Sequence, residues 1–275
     1  MKRVRYARCQ CHGDFRCDAP HQSVTMTTEF ADSSWRALAH RILTRSDMLR
    51  GTAETTLERF VETGRIMKFA DANLLSSYGQ PIETLLVVLS GALEIGVSTL
   101  AGKHFVIAYL GAGLIYGLIP IIDGGGSLYD ARAHGEAVVL GIPRDVVLEA
   151  LRQDPGLAHA FLLLFCKRSR VLYGGASANA LAPFRVRVAR ALASLLPVHG
   201  ITRGETVTLA LKLSQEEFGA LLGASRQAVN RELKALESAG VVSLAYSTIQ
   251  VLDCDALGKI AEFDDGVVRD VSIRP

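Results

Sequence analysis

The sequence predicts an α+β protein in which a β-rich N-terminal half is joined by a long helix to a smaller, mostly helical C-terminal part. Three observations predict this class. Residues 85–113 alternate short β-rich apolar runs with glycines, a pattern typical of an antiparallel roll or barrel. An aliphatic segment with helical spacing follows Asp154-Pro155. Residues 213–242 predict two short helices joined by a glycine turn.

The composition fits two domains and lacks the common enzyme signatures. At 275 residues, the chain accommodates two modest domains and a connector. The net charge of +2 does not by itself indicate a nucleic-acid partner, although residues 1–16 and 167–190 are locally basic. There is no G-x-S-x-G, H-E-x-x-H or P-loop motif, and the glycine run after Asp123 lacks the strand–helix context of a phosphate cradle. We therefore expect a protein that is not an enzyme.

The β-rich half begins with two predicted strands, LLVVL and ALEIGV, and Gly91 is expected to break the run between them. A turn at 101–103 leads to a third strand, HFVIAYL. Residues 105–122 carry no charge and approach the length of a membrane span, which needs about 20 apolar residues. Three glycines and Pro120 within them favour strands and turns instead. Because no signal-peptide pattern opens the chain either, we expect no membrane segment and a cytoplasmic location.

The connecting helix is predicted to begin at Asp154-Pro155, since proline suits the first helical position. Its apolar stripe predicts packing against the β-rich half on one face and pairing with a second helix on another. The stripe consists of Phe161, Leu164, Phe165, Val171 and Leu172. Gly174-Gly175 departs from this pattern, and each glycine costs a helix about 1 kcal/mol relative to alanine. The helix is therefore expected to bend or end there, unless the small residues allow two helices to approach closely.

The first of the two short C-terminal helices has clear start and stop signals. Ser214 and Glu217 have the spacing of a capping box. Phe218, Leu221 and Leu222 give the helix an apolar stripe. Gly223 follows, where a helix ends most easily in the left-handed conformation.

The second helix is predicted to begin after Ser225 and to run to Gly240. Val229, Leu233 and Leu236 form its predicted core face. The exposed polar and cationic face consists of Arg226, Gln227, Asn230, Arg231 and Lys234. Insertion into a DNA major groove requires such a face, although an ordinary helical hairpin with a solvated face has the same spacing. VVSL and TIQVLD then predict a β-hairpin that would form a wing.

These residues resemble the Crp–Fnr family of bacterial transcription regulators. The segment LKLSQEEFGALLGASRQAVNRELKALESAGVV carries the family's two helices, its turn and its S-R-x-x-V-x-R core, and residues 85–113 resemble its cyclic-nucleotide-binding β jelly roll. The resemblance covers roughly residues 55–253. The expected domains are a flexible cysteine-containing tail at 1–25, a jelly-roll effector domain with leading helices at 26–153, a dimerisation helix at 154–182, and a winged helix-turn-helix domain with a C-terminal tail at 183–275.

The resemblance implies a homodimer whose two recognition helices lie about one helical turn of DNA apart on a near-palindromic operator. Arg226 and Arg231 are expected to read base edges or adjacent phosphates, and arginine commonly pairs bidentately with guanine. Gln227 stands where cyclic-AMP-responsive members carry a glutamate, and glutamine suits adenine. Asn230 and Lys234 are expected at flanking or phosphate contacts. The expected partners are double-stranded DNA, a second copy of the chain and RNA polymerase.

The effector pocket departs from the cyclic-AMP-binding members. Those proteins carry a glutamate for the ribose and an arginine for the cyclic phosphate, whereas this chain has Gly117 and Ser127 at these positions. A buried anion without a cationic partner is heavily penalised. Strand alternation places Arg132 and His134 on the solvent face, and Tyr129 with small apolar residues on the inner wall. We expect the pocket near Gly117, Ser127 and Tyr129 to take a less polar effector or none. The alternative is a cyclic-nucleotide-responsive regulator.

The N-terminal cysteines suggest metal or iron–sulfur ligation. They are Cys9, Cys11 and Cys17. Oxygen-sensing members of the family use an N-terminal cysteine group and one further cysteine, but here the first interval is tighter and Leu140 stands at the fourth ligand position. No cofactor is therefore expected, and an iron–sulfur redox-responsive regulator is the alternative. The other interpretations are a disordered tail and an over-extended reading frame, since Met26 offers a start.

A function of another class is a ligand-binding or interaction module whose helix-turn-helix has lost its affinity for DNA. The pair Arg226 and Arg231 argues against this, because two exposed arginines have no packing purpose there.

Overall fold

The computed structural model describes residues 33–98, 104–204, 206–245 and 248–262, without the side chains of 174–181. They form the predicted α+β fold. The helices of the described residues are α1 (Ser33–Arg45), α2 (Glu54–Thr63), α3 (Leu118–Asp123), α4 (Arg144–Gln153), α5 (Pro155–Leu181), α6 (Phe184–His199), α7 (Gln215–Leu222), α8 (Arg226–Ser238) and α9 (Cys254–Ala261), with a 3₁₀ turn at Asp47–Leu49. The strands are β1 (Arg65–Phe69), β2 (Leu74–Ser76), β3 (Thr84–Ser98), β4 (His104–Leu110), β5 (Ile115–Tyr116), β6 (Asp130–Pro143), β7 (Gly200–Arg203), β8 (Thr206–Leu209), β9 (Val242–Ala245) and β10 (Thr248–Val251).

The N-terminal β roll is antiparallel, with strand order β1-β6-β3-β4, and β2 and β5 pair with β6 and β3. Its two long strands, β3 and β6, pair from Thr84 opposite Pro143 to Gly96 opposite Asp130. The prediction that Gly91 separates two strands is wrong. Gly91 lies inside β3 with a φ of 74°, where the register shifts on both sides of Ser90. Such a bulge bends a strand without ending it.

Two hydrophobic cores support the two parts of the chain. The first lies inside the roll and extends to α1, α2, α4 and the first turns of α5. The second lies among α6, α7, α8, α9 and the sheet β7-β8-β10-β9. The second core also contains Ala92, Val106 and Tyr109 of the roll. The C-terminal part is therefore packed directly against β3 and β4 of its own chain.

The connecting helix α5 begins as predicted. Asp154 is its N-cap, and the side chain accepts hydrogen bonds from the amides of Gly156 and Leu157. Phe161 and Leu164 are buried against the roll. The helix does not end at Gly174-Gly175, because α5 continues to Leu181. The other expected outcomes, a bend or the close approach of a second helix, stay predictions.

The C-terminal part contains two features that the sequence analysis did not predict. The hairpin β7–β8 precedes the helix-turn-helix and extends the wing into a four-stranded antiparallel sheet. The helix α9 follows the wing, and its buried Leu257 belongs to the second core. No helix among the described residues combines the length and the hydropathy needed to cross a bilayer.

Candidate functional site

The start of α7 and the turn between α7 and α8 are fixed by local contacts. The Ser214 hydroxyl accepts from the Glu217 amide, and the Glu217 carboxylate accepts from the Ser214 amide, which completes the predicted capping box. Gly223 ends α7 with a φ of 61°. A Cβ atom at Gly219 would lie 2.7 Å from the carbonyl oxygen of Ala224, so the close approach of the turn to α7 requires glycine there. The Ala224 amide also donates to the Gly219 carbonyl oxygen at 2.9 Å, which holds the turn against α7.

The helix α8 has one face in the core and one face in solvent. The Ser225 side chain caps its start by accepting from the Ala228 amide at 3.3 Å. Val229, Leu233 and Leu236 are each at most 2% exposed and pack in the second core, as predicted. The helix is therefore held through one apolar stripe, and its opposite side remains accessible.

The accessible side of α8 carries the predicted polar and cationic residues, which we call the outer face. Arg226, Gln227, Arg231 and Lys234 are exposed, and Asn230 is half-buried. The Arg231 and Lys234 side chains are 74% and 64% exposed. Their described ion-pair partners are acidic neighbours on the same helix. Such surface pairs contribute about 0–1 kcal/mol, so phosphates can replace them at little cost.

One contact of the outer face was missed by the sequence analysis. The Gln215 side-chain amide donates to Asn230 Oδ1 at 3.1 Å, which uses one of the two lone pairs of that oxygen. No sequence signal identified Gln215, because its partner Asn230 lies 15 positions away on the next helix. The predicted wing corresponds to strands β9 and β10. It lies beside α8, since the Leu244 amide of β9 donates to Glu237 Oε1 at 2.9 Å.

The residues at the predicted effector pocket are joined by buried hydroxyl groups. Ser127 is 3% exposed, and its Oγ lies 2.7 Å from the Tyr116 hydroxyl. The Ser76 hydroxyl lies 2.6 Å from the same Tyr116 oxygen. The carbonyl oxygen of Tyr129 lies 2.7 Å from Ser127 Oγ and 2.9 Å from the Tyr116 hydroxyl, so it can accept from either group. Burial raises the pKa of the Tyr116 phenol, so this cluster is uncharged and offers no cation to a phosphate.

Gly117 contributes backbone geometry to this region and no functional group. It caps α3 with a φ of 91°, a left-handed conformation that favours glycine. A Cβ there would lie 3.3 Å from Ile82. The sequence analysis did not identify Tyr116 and Ser76, which are the other two hydroxyl residues of the cluster that contains Ser127. A signal for Tyr116 is present, since it is a polar residue inside an apolar run whose hydroxyl needs a partner when buried.

Two cavities are found elsewhere. One of about 580 Å³ lies between the roll and the C-terminal part and is lined by His134, His199 and Glu217, among others. The other, of about 590 Å³, lies between α1 and the Ala112–Leu114 turn. Neither is lined by Gly117, Ser127 or Tyr129. The candidate metal ligands Cys9, Cys11 and Cys17 fall outside the described residues.

Comparison with known protein families identifies both parts of the chain. Residues 66–154 match the cyclic nucleotide-binding domain. Residues 186–260 match the Crp-like helix-turn-helix domain. The first match covers most of the roll and α4. The second begins within α6 and ends within α9, so it covers most of the C-terminal part.

Several characterised proteins are similar along most of their length. The chain is 30% identical over 179 residues to the cyclic AMP receptor protein of Thermus thermophilus, covering 65% of this chain and 80% of that protein. It is 23% identical over 220 residues to the CRP-like cAMP-activated global transcriptional regulator of Mycobacterium tuberculosis, covering 80% of this chain and 98% of that protein. The fold resembles that of FixK2 from Bradyrhizobium japonicum, with a TM-score of 0.64 at 18% identity over 72% of this chain and 96% of that one.

These matches confirm the predicted fold class and the expectation that the chain is not an enzyme, since the matched proteins are transcription regulators. The 30% identity to the Thermus protein and the two successive domain matches also identify the family. The chain belongs to the Crp–Fnr family of transcription regulators.

Proposed function

We propose that this chain is a homodimeric, sequence-specific DNA-binding regulator that reads a near-palindromic operator with the outer face of α8. The observation that carries the proposal is this face, where exposed arginine, glutamine and lysine side chains stand opposite a fully buried stripe. Arg226 and Arg231 contact guanine edges or phosphates, and Gln227 contacts adenine. Asn230 and Lys234 make flanking or phosphate contacts. Ser225 positions the start of the helix.

The second copy of the chain is proposed to bind along α5. Several large apolar side chains on this helix are strongly exposed, namely Leu162, Leu163, Val171, Leu172 and Tyr173. Contiguous exposed apolar residues of this kind mark interaction surfaces. A parallel pairing of two α5 helices would place two copies of α8 about one turn of DNA apart. RNA polymerase is the proposed further partner, and the cytoplasm the proposed compartment.

The effector domain is proposed to act without cyclic AMP. The similar Thermus and Mycobacterium proteins are named for cyclic AMP. In this chain, a closed hydroxyl cluster at Ser127 and a glycine at 117 replace the charged ligands that the cyclic-AMP-binding members use. Titration calorimetry with cyclic AMP and cyclic GMP tests this, and micromolar binding of either nucleotide would contradict it.

The DNA-binding proposal is tested by selecting bound sequences from a random DNA pool with purified protein, without added ligand, in air and under anaerobic conditions. A palindromic motif recovered under both conditions supports the proposal and requires no oxygen-labile group. A motif recovered only without oxygen would instead support a redox role for the Cys9, Cys11 and Cys17 tail. If no motif emerges even after effector screening, the proposal is wrong.

The outer face is tested by Arg231→Ala on the selected operator. We expect specific binding to weaken by about 1–3 kcal/mol, with relaxed preference at one base position. Lys234→Ala is expected to weaken all sequences alike and to lower the salt dependence by about one phosphate contact. Arg50→Ala is the matched control, since Arg50 is an 83% exposed arginine on the effector domain. Equal affinity of the Arg231→Ala and Arg50→Ala variants for the operator would show that α8 does not read it.

A further inference from the structure

The interface between the roll and the helix-turn-helix contains a group of metal-ligating side chains from three elements. Glu94 lies on β3, His134 on β6 and Glu217 on α7. Their potential ligand atoms all lie within 4.8 Å of one another. The Glu94 and His134 side chains are only 14% and 15% exposed, and Glu217 is 38% exposed. The group lies beside the 580 Å³ cavity between the two parts of the chain.

The hydrogen bonds of His134 fix which ring nitrogen is available. Its Nε2 lies 2.9 Å from the Lys212 carbonyl oxygen. A carbonyl oxygen accepts only, so Nε2 carries the proton and donates. In the neutral ring, Nδ1 then presents its lone pair, and this atom lies 3.7 Å from Glu217 Oε1. Metal-binding histidines characteristically donate their second ring N–H to a backbone carbonyl or a carboxylate in this way.

The two carboxylates are also held in place by hydrogen bonds. Glu217 Oε2 accepts from the Ser214 amide at 2.7 Å, which leaves Oε1 directed toward His134. Glu94 contacts Tyr109 at 3.1 Å through Oε2 and His104 at 2.7 Å through Oε1. Each carboxylate oxygen retains a second lone pair. The ligands are therefore oriented by neighbouring groups and by the capping box of α7.

The charge of the group favours a bound cation. Two carboxylates and one imidazole lone pair meet in a partly buried site, and the recorded ion-pair partners of the carboxylates among the described residues are the histidines His104 and His134. Buried negative charge is costly unless it is paired or coordinates a metal. The same negative charge contributes to the raised pKa of Tyr109, whose largest cause is burial of the phenol.

We propose that Glu94, His134 and Glu217 form an interdomain site for a divalent transition-metal ion with mixed nitrogen and oxygen preference, for which zinc is the suitable probe. Zinc takes histidine nitrogen and carboxylate oxygen at about 2.0–2.2 Å, commonly with three protein ligands and one open position. Tetrahedral ligand atoms at that range lie about 3.3 Å apart. The side chains therefore need to close by about 1.5 Å or less.

The consequence of a bound ion is a link between the sensor and the DNA-reading part. Glu217 is the third residue of α7, and its capping box sets the start of the helix-turn-helix. An ion shared by Glu217 and the two roll residues holds α7 against β3 and β6 and restrains the orientation of α8. Metal occupancy would thereby control how freely the helix-turn-helix moves relative to its own effector domain.

The test is calorimetric titration of zinc chloride, without DNA, into full-length chelator-treated protein in which Cys9, Cys11 and Cys17 are replaced by serine. The key variant is Glu217→Gln, since glutamine preserves the capping box but removes the anionic ligand. We expect one zinc equivalent per chain to be lost or weakened at least tenfold in Glu217→Gln and in His134→Ala. His40→Ala is the matched control, because His40, Glu54 and Glu58 form a more exposed group of the same composition.

A second measurement distinguishes an ion that joins α7 to the roll from an ion that binds to one of them alone. Hydrogen exchange of the α7 amides is expected to slow at least several-fold when zinc is added to the protein with the intact site, and to be unchanged by zinc in Glu217→Gln. Equal zinc stoichiometry and affinity in all variants would overturn the proposal. Because neither measurement uses DNA, the result is independent of the proposed operator binding.

Discussion

The outer face of α8 and the hydroxyl cluster of the effector domain use polar residues in opposite ways. On α8, the guanidinium of Arg231 and the amine of Lys234 are exposed, and their ion pairs are weak surface contacts with neighbours on the same helix. In the roll, the hydroxyls of Ser76, Tyr116 and Ser127 form hydrogen bonds with one another and with the Tyr129 carbonyl. The polar groups of α8 are accessible to a partner molecule. Those of the roll form hydrogen bonds within the protein interior.

This difference teaches where a partner can act. A surface of exposed, replaceable ion pairs binds a polyanion by exchanging partners, which costs little. A buried and mutually satisfied cluster admits a ligand only if the ligand replaces each hydrogen bond it breaks. We therefore propose that no small charged ligand binds near Ser127. The cavity lined by His134 lies elsewhere, between the roll and the C-terminal part.

Because α8 is held through one buried stripe, we predict that shortening a side chain of this stripe destabilises the protein. Leu236 is fully buried under the outer face. We expect Leu236→Ala to lower the free energy of unfolding by about 2–5 kcal/mol, because the change removes apolar burial and leaves a cavity. Leu252→Ala is the matched control, since Leu252 lies in the same part of the chain and is 39% exposed. Similar losses for both variants in urea denaturation would show that the second core is not formed as described.

Removal of one buried acceptor is predicted to have the next largest effect. The Asp154 carboxylate accepts four hydrogen bonds, from the Thr56 hydroxyl and the amides of Ala53, Gly156 and Leu157. We expect Asp154→Asn to cost about 2 kcal/mol, since hydrogen bonds to a charged group contribute about 1.5–3 kcal/mol and the asparagine NH₂ group cannot accept. Denaturation of the wild type and the variant at neutral pH measures this difference.

The pH dependence of that difference has a defined sign. Burial alone would raise the pKa of Asp154, but the hydrogen bonds from Thr56 and the amides lower it more, so the net pKa is below its ordinary value. The stabilisation is therefore fully present above the unfolded-state pKa of about 3.9 and is lost as pH falls below it. A difference between wild type and Asp154→Asn that grows on acidification would contradict this assignment.

The smallest of these effects is expected in the hydroxyl cluster. Tyr116→Phe removes the oxygen that Ser76 and Ser127 share, and we expect a loss of about 1–2 kcal/mol from the unsatisfied partners. Tyr78→Phe should change stability by less than about 0.5 kcal/mol, because Tyr78 is 70% exposed. Equal stability of the Tyr116→Phe and wild-type proteins would mean that the cluster is open to water and that the closed-pocket interpretation fails.

The helix-turn-helix was predictable from the sequence because its signals are local. The capping box of Ser214 and Glu217, the left-handed Gly223 and the stripe of Val229, Leu233 and Leu236 each act within a few residues. The inner-wall alternation of β6 was also predictable, since Ala131 and Ala133 are buried. Gly91 was misinterpreted because pairing of β3 with β6 continues past it, and this pairing outweighs the local preference of glycine to end a strand.

The sequence by itself determined the fold class, the two domains and the exposed cationic face, because capping and periodicity are properties of neighbouring residues. Only the tertiary structure decided what surrounds His134. Alternation assigned it to the solvent face, but the C-terminal part covers it, with the Lys212 carbonyl at 2.9 Å and Glu217 beside it. Residues 78 positions apart meet through packing of two cores, and no short-range pattern encodes such a contact.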